Sequence, residues 1–217
     1  SIEPYEINRD LKIKKNLEEQ NIQVIETWDH LLVEPLKIFS GNNNPYSVYG
    51  PFYKNLKSKM NLLGPYDQDK VVFQFKDIDN KLKENKTINS SDSVLEKFIK
   101  NIKFPGSNIC PCRPGENAAE TLLENFINEK KIYSYNSARD FPSHNGTSFL
   151  SASLRFGTIS IRKVWNATLN LNSDFANQEN YLSIETWQKE LVWREFYQHC
   201  LFHFPELEKG PYRKKWD

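Results

Sequence analysis

Two indoles, two carboxylates and a guanidinium share one run near the end of the chain, Trp187-Gln-Lys-Glu190-Leu-Val-Trp193-Arg194-Glu195-Phe196-Tyr197. At about 3.6 residues per turn, Trp187, Glu190, Arg194 and Tyr197 fall near one stripe of a helix, with Trp193 on its flank. Flat rings placed this way can stack on another ring. The plain alternative is structural, since Glu190 and Arg194 form an i,i+4 pair in the favourable order and the tryptophans can simply fill a core. On spacing alone the structural reading is the stronger one.

A second run reads Tyr135-Asn-Ser-Ala-Arg139-Asp140-Phe-Pro142-Ser-His-Asn-Gly146-Thr147-Ser148-Phe149-Leu150-Ser151. Gly146-Thr147-Ser148 at the mouth of a helix would offer hydroxyls and N–H groups of the kind that hold a phosphate. An ordinary helix cap uses the same residues, and by itself that reading is favoured. Cys110, Cys112, His199 and His203 are types that zinc accepts, but Cys-Pro-Cys is not the C-x₂-C spacing of a knuckle. His199 and His203 read as surface or packed residues of a long helix, and no metal site is expected. The chain has no Walker loop, no G-x-G-x-x-G and no G-x-S-x-G, which leaves hydrolase and kinase readings without support.

These residues need elements to position them, and the pattern is mostly helical. A basic helix is expected from about Arg9 to Gln20, followed by a short β-branched segment, Ile22 to Thr27, that reads as one buried strand. From Val33 to Pro105 the chain is rich in Asn, Lys, Pro and Gly and reads as a connector with short helical pieces, one of them Val94–Ile102. After Pro114-Gly115, apolar residues at helical spacing run from Ala118 to Ile127 in a segment reaching about Lys131. Two more helices are expected, Thr147–Phe156 closed by Gly157 and Ser160–Leu171. The longest is Tyr181–Phe204, stopped by Pro205.

With 217 residues the chain can bury a sizeable core, although its hydrophobic share of 38% is modest. The 14 Phe, 10 Tyr and 5 Trp compensate in part. Lys and Arg number 29 against 28 Asp and Glu, so net charge alone predicts no nucleic-acid partner. Three cysteines are too few for a disulfide framework, which points to a reducing compartment, and the cytoplasm is expected. No run approaches the roughly 18 apolar residues of a membrane span. Met60 is the single methionine, so a processed chain or a fragment is expected.

In this order, four blocks of the sequence resemble the photolyase/cryptochrome family. They are WDHLLVEPLKIFSGNNNPYSVYGPF (28–52), RPGENAAETLLENF (113–126), RDFPSHNGTSFLSASLRFGTIS (139–160) and WQKELVWREFYQHCLFHFPELEKGPYRKKW (187–216). WREFYQH and NPYSVYGPF point toward class I cyclobutane-pyrimidine-dimer photolyases, particularly the cyanobacterial type. The resemblance implies a mostly α chain: the C-terminal end of an α/β, Rossmann-like antenna domain at 1–31, an interdomain connector at 32–110, and the first half of an all-helical FAD-binding domain at 111–217.

Residue by residue, the resemblance makes Tyr135, Trp187 and Arg194 cofactor-contacting and Thr147, Ser148, Phe149, Leu150 and Ser151 the loop that holds the FAD phosphates. Phe149 stands where Arg or Gly is often found. Glu190 matches the acid that hydrogen-bonds the pyrimidine dimer, and Trp193 the ring on which the flipped-out dimer stacks. Arg139, Arg194 and Tyr197 match positions near DNA, and Arg213-Lys214-Lys215 could add to a basic rim for phosphates. For the antenna chromophore, Arg155 matches a basic position and Asn8 lies near an acidic one; 8-hydroxy-5-deazaflavin is expected rather than methenyltetrahydrofolate. The implied reaction is light-driven electron transfer from reduced FAD to the dimer in UV-damaged DNA, single- or double-stranded, by a monomer that needs no membrane. This portion of the protein alone is expected to be inactive. Two alternatives stand beside it: a cryptochrome that signals without repair, and a non-catalytic helical DNA-binding module.

Overall fold

A computed structural model describes residues 2–26, 28, 30–63, 113–169, 171 and 178–212. They lie in one unit of the chain, formed by Ser1–Tyr66 and Arg113–Asp217. The expected helix Val94–Ile102, the pair Cys110 and Cys112, and the run Arg213-Lys214-Lys215 fall outside the described residues.

Pro4 occupies the first turn of helix α1 (Pro4–Glu19), where its missing N–H costs nothing, so the helix begins earlier than its basic stretch suggests. Asn21, with φ 59°, turns the chain out of it. The expected strand that follows does not form: residues 22–26 have no regular structure, and Ile22 and Ile25 are exposed. A strand must give its N–H and C=O groups to a neighbour, and among the described residues there is no other strand to receive them.

Helix α2 (Tyr49–Leu63) buries Phe52 and Leu56 and turns Lys54, Lys57 and Lys59 outward. Gly115, at φ 97°, leads into α3 (Glu116–Asn128), whose Ala119, Leu123 and Phe126 face the core. The segment ends at Asn128, a little short of the expected Lys131, because Lys130 takes a left-handed conformation, and α4 (Lys131–Ala138), which the spacing did not announce, starts anew. α5 (Ser151–Phe156) ends on Gly157 at φ 70°, as its sequence indicates, but begins four residues later than expected. Phe149 stands at φ 55°, which no helix accommodates. α6 (Ile161–Leu169) and α7 (Gln178–His203) complete the α-helices of the described residues, and α7 stops two residues before Pro205.

α7 is the axis of the unit and packs against α2, α4, α6 and the 3₁₀ turns Pro35–Lys37 and Pro205–Glu208. Its buried positions recur in adjacent pairs every three to four residues, including Ile184, Trp187, Leu191, Val192 and Phe196. The same inner face straps down the irregular segment between α1 and α2. Arg194 donates to the carbonyl of His30 at 2.9 Å, and Arg162 of α6 donates to that of Trp28 at 2.5 Å. Glu195, with 0% of its surface exposed, accepts the N–H groups of Leu32 and Val33 at 3.1 and 2.9 Å, one on each oxygen. His199 and His203 donate through Nε2 to the carbonyls of Val33 and Pro35 at 3.1 and 3.3 Å.

Candidate functional site

The outer face of α7 and the end of α4 bring together Tyr135, Arg139, Glu190, Trp193 and Tyr197. Arg139 is the residue that follows α4, and its Nη1 donates to Glu190 Oε1 at 2.6 Å. That hydrogen bond raises the guanidinium pKa further, and 43% of the Glu190 side chain stays open to solvent. The guanidinium also lies 6.0 Å from the centre of the Tyr135 ring. Burial, reinforced by the charge of Glu190, raises the Tyr135 phenol above its ordinary value, so it stays protonated.

Trp193 stands in a row of near-parallel rings. Tyr49 of α2 stacks on it at 3.7 Å and 6°, Tyr53 on Tyr49 at 5.9 Å and 22°, and Tyr197 on Trp193 at 5.6 Å and 27°. The Tyr49 hydroxyl donates to the carbonyl of Lys189 at 3.2 Å, and burial pushes its pKa well upward. Tyr53 donates to Glu185 Oε1 at 3.4 Å. Burial disfavours the charge of Glu185, yet Lys189 and Lys57 hold its pKa below the usual carboxylate value. Tyr197 ends the row with 62% of its surface exposed.

The other expected site residues sit elsewhere. Trp187 is 3% exposed and packs on Phe126 at 5.2 Å, inside the core. Arg194 spends both terminal nitrogens on main-chain carbonyls, of His30 and of Leu154, and burial lowers its pKa. Thr147, Ser148 and Phe149 line a cleft of about 280 Å³ together with Asn125, Glu129 and Lys131. Leu150 is buried, and Ser151 is the exposed first residue of α5. Arg155 pairs with Glu3 at 2.7 Å in a cleft of about 230 Å³ that includes Glu6, His30 and Gln198, whereas Asn8 is exposed on α1.

Among the described residues no group of three or more His, Cys, Asp or Glu is placed to hold a metal. His199 and His203 are occupied by the strap, and burial raises the Cys200 thiol to about 11. No described helix is long and apolar enough to cross a membrane. Spacing gave no sign of Tyr49 or Glu195, because Tyr49 meets Lys189 across 140 residues and Glu195 meets Leu32 across 163.

The sequence pattern of the DNA photolyase family matches residues 1–72. A deoxyribodipyrimidine photo-lyase of Synechococcus sp. is 38% identical over 217 residues, covering 99% of this chain and 43% of that protein. The crystal structure of a bacterial class III photolyase from Agrobacterium tumefaciens superposes with a TM-score of 0.70 at 27% identity, covering all of this chain and 42% of the other. A cryptochrome of Synechocystis sp. shares the fold, with a TM-score of 0.66 at 15% identity over 97% of this chain and 42% of the other. The chain is similar to members of the photolyase/cryptochrome family over nearly its whole length and spans about two fifths of the length of the relatives named here. More particularly, it is a homologue of deoxyribodipyrimidine photolyases; these matches do not assign it a class.

Proposed function

We propose that the chain is part of a deoxyribodipyrimidine photolyase that uses light and reduced FAD to split cyclobutane pyrimidine dimers in DNA. The observation that carries this reading is a held, half-open carboxylate, Glu190, three residues from an indole fixed in plane, Trp193, on one face of α7. Trp193 supplies an apolar wall for the two linked, adjacent bases of the dimer once they leave the stack, at a cost that the damage has already lowered. Arg139 engages one oxygen of Glu190, and the other is available to accept a ring N–H from the base edge. Arg139 and the lysines of α2 provide local positive charge for phosphates, which need no high net charge.

The residues of the 147–149 cleft fit part of FAD, since the hydroxyls of Thr147 and Ser148 suit its phosphates while Phe149 and Leu122 offer apolar surface; Lys131 on the same wall is paired with Glu129 at 2.7 Å. Bound there, FAD would supply one-electron donation under light, which no side chain provides. Tyr135, Thr147, Ser148, Phe149 and Ser151 are the residues we assign to holding it. Trp187 and Arg194 would act from behind, the first by filling the core under α7 and the second by fixing α7 to residue 30. Residues 1–31 are read as the end of an antenna domain, 32–110 as the connector and 111–217 as the first half of the FAD domain. The class I reading rests on WREFYQH and NPYSVYGPF, and the 38% identity to the Synechococcus protein supports its cyanobacterial part. Arg155 in its acidic cleft is the candidate antenna contact, with a deazaflavin preferred.

The test is the complete gene product carrying FAD, incubated with thymine-dimer DNA. Restoration of the DNA under near-UV or blue light and none in darkness is expected. A flavin-loaded protein that repairs nothing in light would instead support the cryptochrome reading, whose structural counterpart is the shared fold with the Synechocystis protein. A protein without flavin would leave only the helical DNA-binding module.

A further inference from the structure

Trp193 is enclosed before any ligand arrives. Tyr49 of α2 lies parallel to the indole at 3.7 Å and 6°, and Tyr197, four residues further along α7, stacks on the side away from Tyr49 at 5.6 Å and 27°. Phe196 closes an edge at 5.9 Å and 77°. A base can therefore stack on this indole only where one of the two tyrosines gives way. They are held very differently. The Tyr49 hydroxyl donates to the carbonyl of Lys189, its ring meets Phe196 at 81°, and Tyr53 stacks on it, so contacts from two helices keep it in place. Tyr197 is 62% exposed, and its ring neighbours Trp193 and Phe196 both belong to its own helix. Among the described residues its hydroxyl has no hydrogen-bond partner. Aromatic side chains in a helix have two χ1 wells, near about 180° and about −60°, so a turn about one bond carries the Tyr197 ring off the indole. The same turn in Tyr49 would break its hydrogen bond to Lys189.

We propose that Tyr197 is a displaceable cover: it occupies the outward face of Trp193 until a dimer is present, and it swings aside so that the dimer stacks there. The inference rests on the photolyase reading and deepens it by naming the residue that must move at that site. A bare indole would stack on any loose base, because every base has a flat face. With the cover in place each such encounter must first displace a ring, which only a ligand with further contacts, to Glu190 and through its phosphates, outweighs. The apparent affinity of that ligand is lowered by the fraction of molecules that stand open. Undamaged duplex DNA is held through its phosphates and keeps its bases stacked, so the cover does not enter its binding.

The test measures dark binding of the complete protein to a duplex with and without one thymine dimer. Tyr197→Ala removes the ring from an exposed helical position that alanine suits. For Y197A, affinity for the dimer duplex should rise about two- to tenfold, the scale of one aromatic stack, while affinity for the undamaged duplex stays within about twofold of wild type. Tyr197→Trp puts a larger ring on the indole and should lower dimer affinity by at least about twofold. Opposite changes in the two variants are the signature of a cover, since a residue that merely supported the helix or touched DNA would weaken binding when cut to alanine. Dimer affinity unchanged or lower in Y197A, dimer affinity unchanged or higher in Y197W, or an equal rise for both duplexes in Y197A each overturns the proposal. If Y197A does not fold, Y197W decides alone. Wild-type protein with no preference for the dimer defeats the photolyase reading itself, and that result is separate from any difference among the variants.

Discussion

The two faces of α7 carry nearly the same residue types and put them to opposite uses. On the inner face Trp187, Arg194 and Glu195 are buried or committed to main-chain groups. On the outer face Trp193 and Glu190, with Arg139 brought in from α4, stay partly open and engage side chains only. Residue type therefore does not decide which tryptophan or glutamate meets a ligand; what lies opposite does. A carboxylate facing two N–H groups becomes a clamp, whereas one facing a guanidinium at the surface keeps an oxygen for something else.

Replacing each tryptophan in turn gives the largest contrast. Trp187→Ala should lose about 3–5 kcal/mol of unfolding free energy by opening a cavity against Phe126, measured by urea denaturation of the complete protein. Trp193→Ala should cost about 1–2 kcal/mol, mostly its stack on Tyr49, and should lower affinity for dimer DNA far more than stability. Equal stability losses would erase the distinction between the faces. For the glutamates, Glu195→Ala leaves two buried N–H groups without an acceptor and should cost about 3 kcal/mol. Glu190→Gln should move stability by less than about 0.5 kcal/mol, as expected of a surface pair, while repair under light falls at least about tenfold.

The smallest effect is a pH dependence of the strap. Burial lowers the His203 pKa, partly countered by the Pro35 carbonyl and aided by His199. The folded protein then binds the proton less readily than the unfolded chain. Stability from this group is present above its ordinary value of 6.5 and declines as pH falls below it. Melting curves between pH 7.5 and about 5 should show the loss, and His203→Gln should flatten it.

Much of the helical order can be read along the chain, because the ends of α5 and α7 are marked by Gly157 and Pro205 and the core of α3 by its apolar period. Residues Ile22 to Glu26 mislead because β-branched composition reports a preference, while a strand also needs a partner. The break at Lys130 carries no Gly or Pro to announce it. Thr147 and Ser148 read as a helix mouth, but the helix starts after the positive φ of Phe149, so they belong to the cleft wall. The site itself is half visible: Glu190 and Trp193 stand three apart on one helix, but Tyr49 and Arg139 arrive from other elements and only the fold brings them in.

The clamp formed by Glu195 also orders events in time. Leu32 and Val33 leave the ribosome 163 and 162 residues ahead of the carboxylate that receives them. At about 5–20 residues per second, the interval is on the order of ten seconds or more. Throughout it the segment around Leu32 and Val33 lacks the Glu195 acceptor for those two amides, which stay hydrated. Closure of the unit thus waits on synthesis of α7, which alone carries the acceptor for the buried Leu31-Leu32-Val33 stretch.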